Sequence, residues 1–120
     1  MTTSSTKVLL IAPKNNTTQL LEQICANEFQ CEVTTAEEFT AAEKLLNGNS
    51  FNIVVLGDDI PGGDCRKLAT SANKTQKNAL TISAHGDPAK RSLHCQLGFK
   101  KQAGPLMAPE LIRAELRAMK

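Results

Sequence analysis

The side chains able to do chemistry are few and unevenly placed. Three aspartates, Asp58, Asp59 and Asp64, fall within the stretch Gly57-Asp-Asp-Ile-Pro-Gly-Gly-Asp64. Clustered carboxylates suit a hard divalent cation or a phosphoryl group, chemistry that also wants a lysine to pair with the transferred charge. The spacing of these three fits no calcium loop, however, and the plain reading of Asp58 and Asp59 is as solvated loop carboxylates. Ser83 carries a hydroxyl able to bond an oxyanion, or to bond local backbone at a strand end. His85 and His94 have no sequence neighbour that would make either a base, which predicts surface or half-buried positions. Cys25, Cys31, Cys65 and Cys95 include no C-x-x-C and make no zinc spacing with the histidines, so they read as small buried hydrophobes. Cys65, directly after Asp64, is the candidate for a reactive thiol, against the plainer reading of an inert first-turn residue.

The background composition narrows the class. A chain of 120 residues, 41% hydrophobic and 22% charged, is long enough for one domain around one core and too apolar for wholesale disorder. No apolar run approaches the ~20 residues of a membrane-spanning helix. Residues 1–6 are polar and lack a hydrophobic signal region, which predicts a flexible tail on a cytoplasmic domain. A net charge of +2, with four phenylalanines and no tryptophan or tyrosine, argues against a nucleic-acid platform.

The elements that must position these residues alternate in type. Residues 7–12, 51–56 and 79–83 are short apolar runs, nearly continuous rather than alternating, as strands covered on both faces are. Weaker strands are predicted at 31–34 and 100–103. Between them, Leu20, Leu21, Ile24 and Cys25 recur at helical spacing behind Thr17 as N-cap, and Thr35-Ala-Glu-Glu38 reads as a capping box for a helix with Phe39, Ala42, Leu45 and Leu46 inward. Further helices are predicted over about 65–73, from Asp87-Pro88 to Gly98, and from Ala108-Pro109 onward with Leu111, Ile112, Leu116 and Met119 inward.

Strands separated by helices require right-handed parallel crossovers, hence an open doubly wound α/β sheet. Such a sheet places its site beyond the carboxyl ends of its strands, so residues 12–15, 57–64, 83–86 and 104–106 should converge. Those loops are poorly equipped: Ala12 and Pro13 in the first, Gly57 with Asp58 and Asp59 in the second, Ser83 in the third, Gly104 and Pro105 in the fourth. No glycine-rich phosphate loop follows the first strand, which argues against a general enzyme of flavodoxin-like fold.

Ile60-Pro61-Gly62-Gly63-Asp64, Ser83-Ala84-His85-Gly86-Asp87, Gly104-Pro105-Leu106 and Pro109-Glu110-Leu111, in this order among these elements, resemble the receiver domains of two-component response regulators, the CheY-like superfamily, over residues 7–119. The resemblance implies a five-stranded parallel sheet of order 2-1-3-4-5. It also implies self-catalysed phosphorylation of an aspartate with Mg²⁺ bound. Yet it puts the family's acidic pair on Ala12 and Pro13, its acceptor on Gly57 and its lysine on Gly104, leaving only the hydroxyl position, Ser83. The switch aromatic falls on Lys101, and Gly104-Pro105 is where the family has a cis peptide.

These departures imply a pseudo-receiver, with no Mg²⁺ and no other cofactor. The expected activity is non-enzymatic: a phosphorylation-independent signalling module that contacts a protein partner or a second copy through helix 4, strand 5 and helix 5. That face carries Lys90, Arg91, Lys100, Lys101, Arg113 and Arg117, which otherwise read as a solvated charged surface. Two other readings stay open: phosphorylation at a displaced Asp58 or Asp59, and a crevice that senses a small ligand now that its acids are gone.

Overall fold

The computed structural model describes residues 6–63 and 65–119, without the Cys65 side chain. The expectations for residues 1–5, for Asp64 and for the Cys65 thiol lie outside the described residues. Five strands alternate with five helices: β1 Lys7–Ile11, α1 Asn16–Gln23, β2 Glu32–Ala36, α2 Phe39–Gly48, β3 Ile53–Leu56, α3 Cys65–Thr75, β4 Leu80–Ser83, α4 Pro88–Gln96, β5 Lys101–Gln102 and α5 Ala108–Ala118. A π-helical turn, Ile24–Glu28, extends α1. All pairings are parallel and the sheet order is β2-β1-β3-β4-β5. This is the doubly wound receiver topology.

Strand composition follows sheet position. The central strands β1 and β3 are buried along nearly their whole length, whereas the edge strands β2 and β5 are mostly half-exposed or exposed. A strand inside a parallel sheet meets helices on both faces and is therefore apolar at consecutive positions. Leu9, Ile11, Val54 and Leu56 face a core completed by α2 and α3 through Leu46, Leu68, Ala69 and Ala72. Val8, Leu10, Ile53, Val55, Ile82 and Ala84 face the other, completed by Leu21, Ile24, Ile112 and Leu116. Gln76, at the end of α3, is buried yet satisfied: its Nε2 donates to the carbonyls of Leu46 (2.8 Å) and Asn49 (2.7 Å), and its Oε1 accepts from Phe51 N–H at 2.9 Å.

Local signals fail where tertiary partners compete. Thr35 does not open a capping box. It lies in β2 paired with Leu10, and its hydroxyl donates to Glu22 Oε2 at 2.8 Å. The first turn of α2 is tied instead by Phe39 N–H to the Pro61 carbonyl at 2.9 Å, and Glu38 makes no side-chain cap. Asn15, not Thr17, caps α1: its Oδ1 accepts from Thr18 N–H at 2.9 Å, while Thr18 Oγ1 donates to the Pro13 carbonyl at 2.8 Å. Leu20 and Met119 are exposed rather than inward, the first on the outer side of α1 and the second beyond the last turn of α5. β5 is two residues long rather than four, and α3 runs to Thr75. No cis peptide occurs among the described residues, so 104–105 is trans. Gly98 ends α4 with φ +115°, and a Cβ there would strike the Asn73 side chain, whose amide donates to the Leu97 carbonyl.

Candidate functional site

The four loops named from the topology do converge. Beyond the carboxyl ends of the strands lies a small pocket of about 30 Å³, partly open to solvent. Leu10, Val55, Leu21 and Ala84, all buried, form its inner surface, with Ala12, Gly57 and Pro105 beside them. Asn15, Thr17, Thr18 and Asp58 supply the polar lining. The pocket is the upper end of the α1/α5-side core, because Leu10, Val55 and Ala84 all belong to that layer.

Position 57 carries no side chain and has little room for one. Its N–H donates to the Ile11 carbonyl at 2.8 Å, holding the end of β3 against β1. A Cβ built on Gly57 would stand 2.7 Å from Ala12 Cβ, about 1 Å inside ordinary carbon–carbon contact. Position 104 differs. A Cβ there would meet only the Arg91 guanidinium at 3.6 Å, an ordinary contact. Arg91 is held over this glycine by donating from Nη1 to the His85 carbonyl at 2.6 Å. The described residues do not fit a divalent cation: among them the pocket offers one carboxylate, Asp58, beside an apolar lining.

Of the two aspartates of the second loop, Asp58 is half-exposed and Asp59 exposed, and both make contacts with the segment that leads into α4 and with its first turn. Asp58 Oδ1 accepts from Gly86 N–H at 2.9 Å. Asp59 pairs with Lys90 through Oδ2, and its Oδ1 lies 3.5 Å from His85 Nε2. His85 Nδ1 accepts from Asp87 N–H at 2.9 Å, which places the proton of the neutral ring on Nε2.

Both histidines are buried, contrary to the expectation of surface or half-buried positions. Ser83 and His94, each no more than 1% exposed, are hydrogen-bonded from Oγ to Nδ1 at 2.7 Å. The His94 ring meets His85 edge-on at a centroid separation of 6.1 Å and packs obliquely on Phe99 at 6.0 Å. Ser83 therefore bonds α4 rather than local backbone, on the opposite side of the sheet from the pocket-facing Ala84. Helical periodicity could have put His94 on the inner face of α4, but nothing in the sequence pairs it with Ser83.

The basic residues of the α4, β5 and α5 face are largely engaged within the protein. Lys90 pairs with Asp59, Arg91 with the His85 carbonyl, and Lys101 with Glu115 at 3.2 Å. Lys100 donates to the Ala79 carbonyl at 2.7 Å. Arg113 pairs with Glu28 at 3.0 Å and Glu110 at 3.1 Å, and the Glu28 carboxyl is held below its usual range chiefly by that hydrogen bond. Arg117 is exposed and adds to the positive field at Glu28. The face also exposes apolar side chains: Leu106 is 93% and Met107 61% accessible, beside a shallow groove formed by Gln102, Ala103, Gly104, Met107, Glu110 and Leu111.

This sheet order, with its site loops at the carboxyl edge, defines the fold of a response-regulator receiver. The structure is similar to a receiver domain protein from Methanospirillum hungatei, with TM-score 0.78 and 18% identity over 96% of each chain. It is equally similar to a chemotaxis response regulator of Vibrio cholerae, with TM-score 0.79 and 15% identity over 98% of this chain and 100% of that one. The signal receiver domain of an HD domain-containing protein from Pseudomonas fluorescens matches with TM-score 0.81 and 18% identity over 98% of this chain and 88% of that one. No family model and no curated protein matches the sequence.

Proposed function

We propose that the chain is a pseudo-receiver: a non-enzymatic signal-transduction module that works without phosphorylation, through contact with a protein partner or a second copy. The observation that carries the reading is position 57. A glycine stands where the resemblance places the acceptor, and the room for a side chain is taken by Ala12 Cβ at 2.7 Å. Ala12 and Pro13 bring no carboxylate for Mg²⁺, and Gly104 no ammonium to pair with an acyl phosphate. Ser83 is bonded to His94 instead of standing free to report on a phosphoryl group. The contact surface in this reading is the face of α4, β5 and α5. Its accessible apolar side chains, Leu106 and Met107, act as anchors, and the paired cations form a polar rim. A displaced acceptor has less support, because Asp58 and Asp59 are held by Gly86 and Lys90.

Acetyl phosphate with Mg²⁺ should leave the intact mass unchanged, and beryllofluoride should leave the amide spectrum around residues 57 and 83 unshifted. Stoichiometric phosphorylation refutes the proposal, and its loss in Asp58→Asn or Asp59→Asn would assign a displaced acceptor. Sedimentation of the wild type beside Leu106→Ser and Met107→Ser tests the self-association form. Association that is indifferent to both variants excludes this face as the dimer contact.

A further inference from the structure

The chain passes from α1 into β2 through an uncommon turn that carries two cysteines. Cys25 lies in the π-helical turn Ile24–Glu28, and Gln30, with φ +52°, is the one non-glycine residue in the left-handed region among the described residues. A π turn followed so closely by a left-handed residue is unfavourable backbone that the surrounding packing must hold. Together they bring the Cys31 N–H onto the Cys25 carbonyl at 2.8 Å. Standard bond lengths then keep the two Cα atoms within about 6.7 Å of each other. A disulfide accepts Cα separations of roughly 4.4–6.8 Å, so the backbone is already within range. Cys25 is buried in the core layer under α1 and α5. Cys31, half-buried, packs against the same cluster, as Val33 does two residues further along. Both side chains therefore enter one space from adjacent backbone, and both are thiols in this structure. Burial first, and then the Cys31 thiolate, push the Cys25 thiol up to about 12, so each sulfur lies in the field of the other.

We infer that Cys25 and Cys31 are a site of oxidative modification, a dithiol that a hydroperoxide closes to a disulfide. Cys31 meets the oxidant, because it is half-buried where Cys25 is covered. Its thiolate attacks one peroxide oxygen and the O–O bond breaks. The departing alkoxide takes up the proton that Cys31 gave up and leaves as the alcohol, and Cys31 becomes a sulfenic acid. The Cys25 sulfur then attacks the Cys31 sulfur: the S–S bond forms, the S–O bond breaks, and the hydroxide leaves as water with the Cys25 proton. Two thiols and one hydroperoxide thus give one disulfide, one alcohol and one water. The covered Cys25 thiol stays protonated at neutral pH, which makes the second step the slow one.

The effect leaves the turn through Glu28, which lies midway between the two cysteines in sequence. Arg113 of α5 holds that carboxylate through Nε at 3.1 Å and Nη2 at 3.0 Å. Drawing the two cysteines together shifts the backbone that carries Glu28 and so loads its ion pair with α5, one of the three elements of the proposed contact face. Only this last link rests on the assignment of α5 to a contact surface; the cysteine pair stands without it.

The experiment treats the full chain with hydrogen peroxide, blocks the remaining thiols with iodoacetamide in denaturant, and cleaves the protein after glutamate. Cleavage at Glu28 separates the two cysteines, so the disulfide appears as peptides 23–28 and 29–32 joined. The intact protein should lose about 2 Da together with two alkylation sites, and dithiothreitol should restore both. Dimedone should trap the sulfenic acid on Cys31 and not on Cys25, and in Cys25→Ala that adduct should accumulate. Cys31→Ser, at the half-buried position, should fold and give no joined peptide. The Arg113 amide should shift on oxidation of the wild type and stay in place in Cys31→Ser. Oxidation of Cys31 to the sulfinic acid while Cys25 still alkylates, bonding of either cysteine to Cys65 or Cys95, or no modification of Cys31 overturns the pair. A joined peptide with an unmoved Arg113 amide overturns the route to α5. Sedimentation of Leu106→Ser and Met107→Ser tests the contact face separately, whichever way the cysteines behave.

Discussion

Gly57→Asp is the substitution that tests whether the crevice has room for a side chain at position 57. The new Cβ would lie 2.7 Å from Ala12 Cβ, where ordinary contact needs about 3.5–4.0 Å. The ends of β1 and β3 must therefore part by about 1 Å, against the bond from Gly57 N–H to the Ile11 carbonyl and that from Ala12 N–H to the Ala36 carbonyl. Overpacking of this kind costs about 1–3 kcal/mol. Removing a glycine from the unfolded ensemble returns up to about 1 kcal/mol. The carboxylate meets an apolar lining with no ammonium at 104, which adds a desolvation penalty. The expected net loss is about 2 kcal/mol, a fall in Tm of roughly 10 °C for a chain of this size. Ala12→Gly removes the atom that Gly57→Asp strikes, so in that background the same substitution should cost less than about 1 kcal/mol. Urea unfolding of the four proteins measures the cycle, and acetyl phosphate with Mg²⁺ should phosphorylate none of them. The argument fails if Gly57→Asp is neutral, if its cost is unchanged in the Ala12→Gly background, or if the single variant accepts a phosphoryl group.

Two further predictions concern buried groups. Ser83→Ala and His94→Leu each strand a buried partner and should each cost about 1–3 kcal/mol, whereas the double variant should cost no more than the worse single one; additive losses in urea unfolding would refute the pairing. Burial, and secondarily the Cys31 thiolate, push the Cys25 thiol from 9.0 up to about 12, so its contribution to stability is complete below pH 9 and is lost as pH rises toward 12. At pH 8 iodoacetamide should label the half-buried Cys31 and Cys95 well before Cys25, and equal rates by mass spectrometry would contradict the burial.

Much of this arrangement is legible in the residues alone. Short runs such as Val8-Leu9-Leu10-Ile11 and Ile53-Val54-Val55-Leu56 are apolar at every position because both faces of a central parallel strand are covered, and that pattern survives without knowledge of the neighbours. From the alternation of such strands with helices the four converging loops follow, and with them the shortage of carboxylates at 12, 13 and 57. Signals carried by single residues fared worse. Thr35-x-x-Glu38 has the letters of a capping box, but Thr35 is needed in β2 beside Leu10, and its hydroxyl finds Glu22 from a different element. Nor could the sequence pair the cations from Lys90 to Arg113, because their partners Asp59, Glu115 and Glu28 are 31, 14 and 85 positions away.

The sequence by itself determined the class of sheet, the loops that gather at the carboxyl ends of its strands and the residue types those loops carry, since these depend on periodicity, element order and residue identity. Tertiary structure alone decided what fills that place. It brought Ala12 Cβ against position 57, turned Ser83 to His94 and left Leu10, Val55 and Ala84 lining an open pocket with Asp58 at its edge. Distances between strand ends, and the side of the sheet to which a hydroxyl turns, depend on how helices settle on the sheet. That settling is a collective outcome of packing, and no local run of residues encodes it.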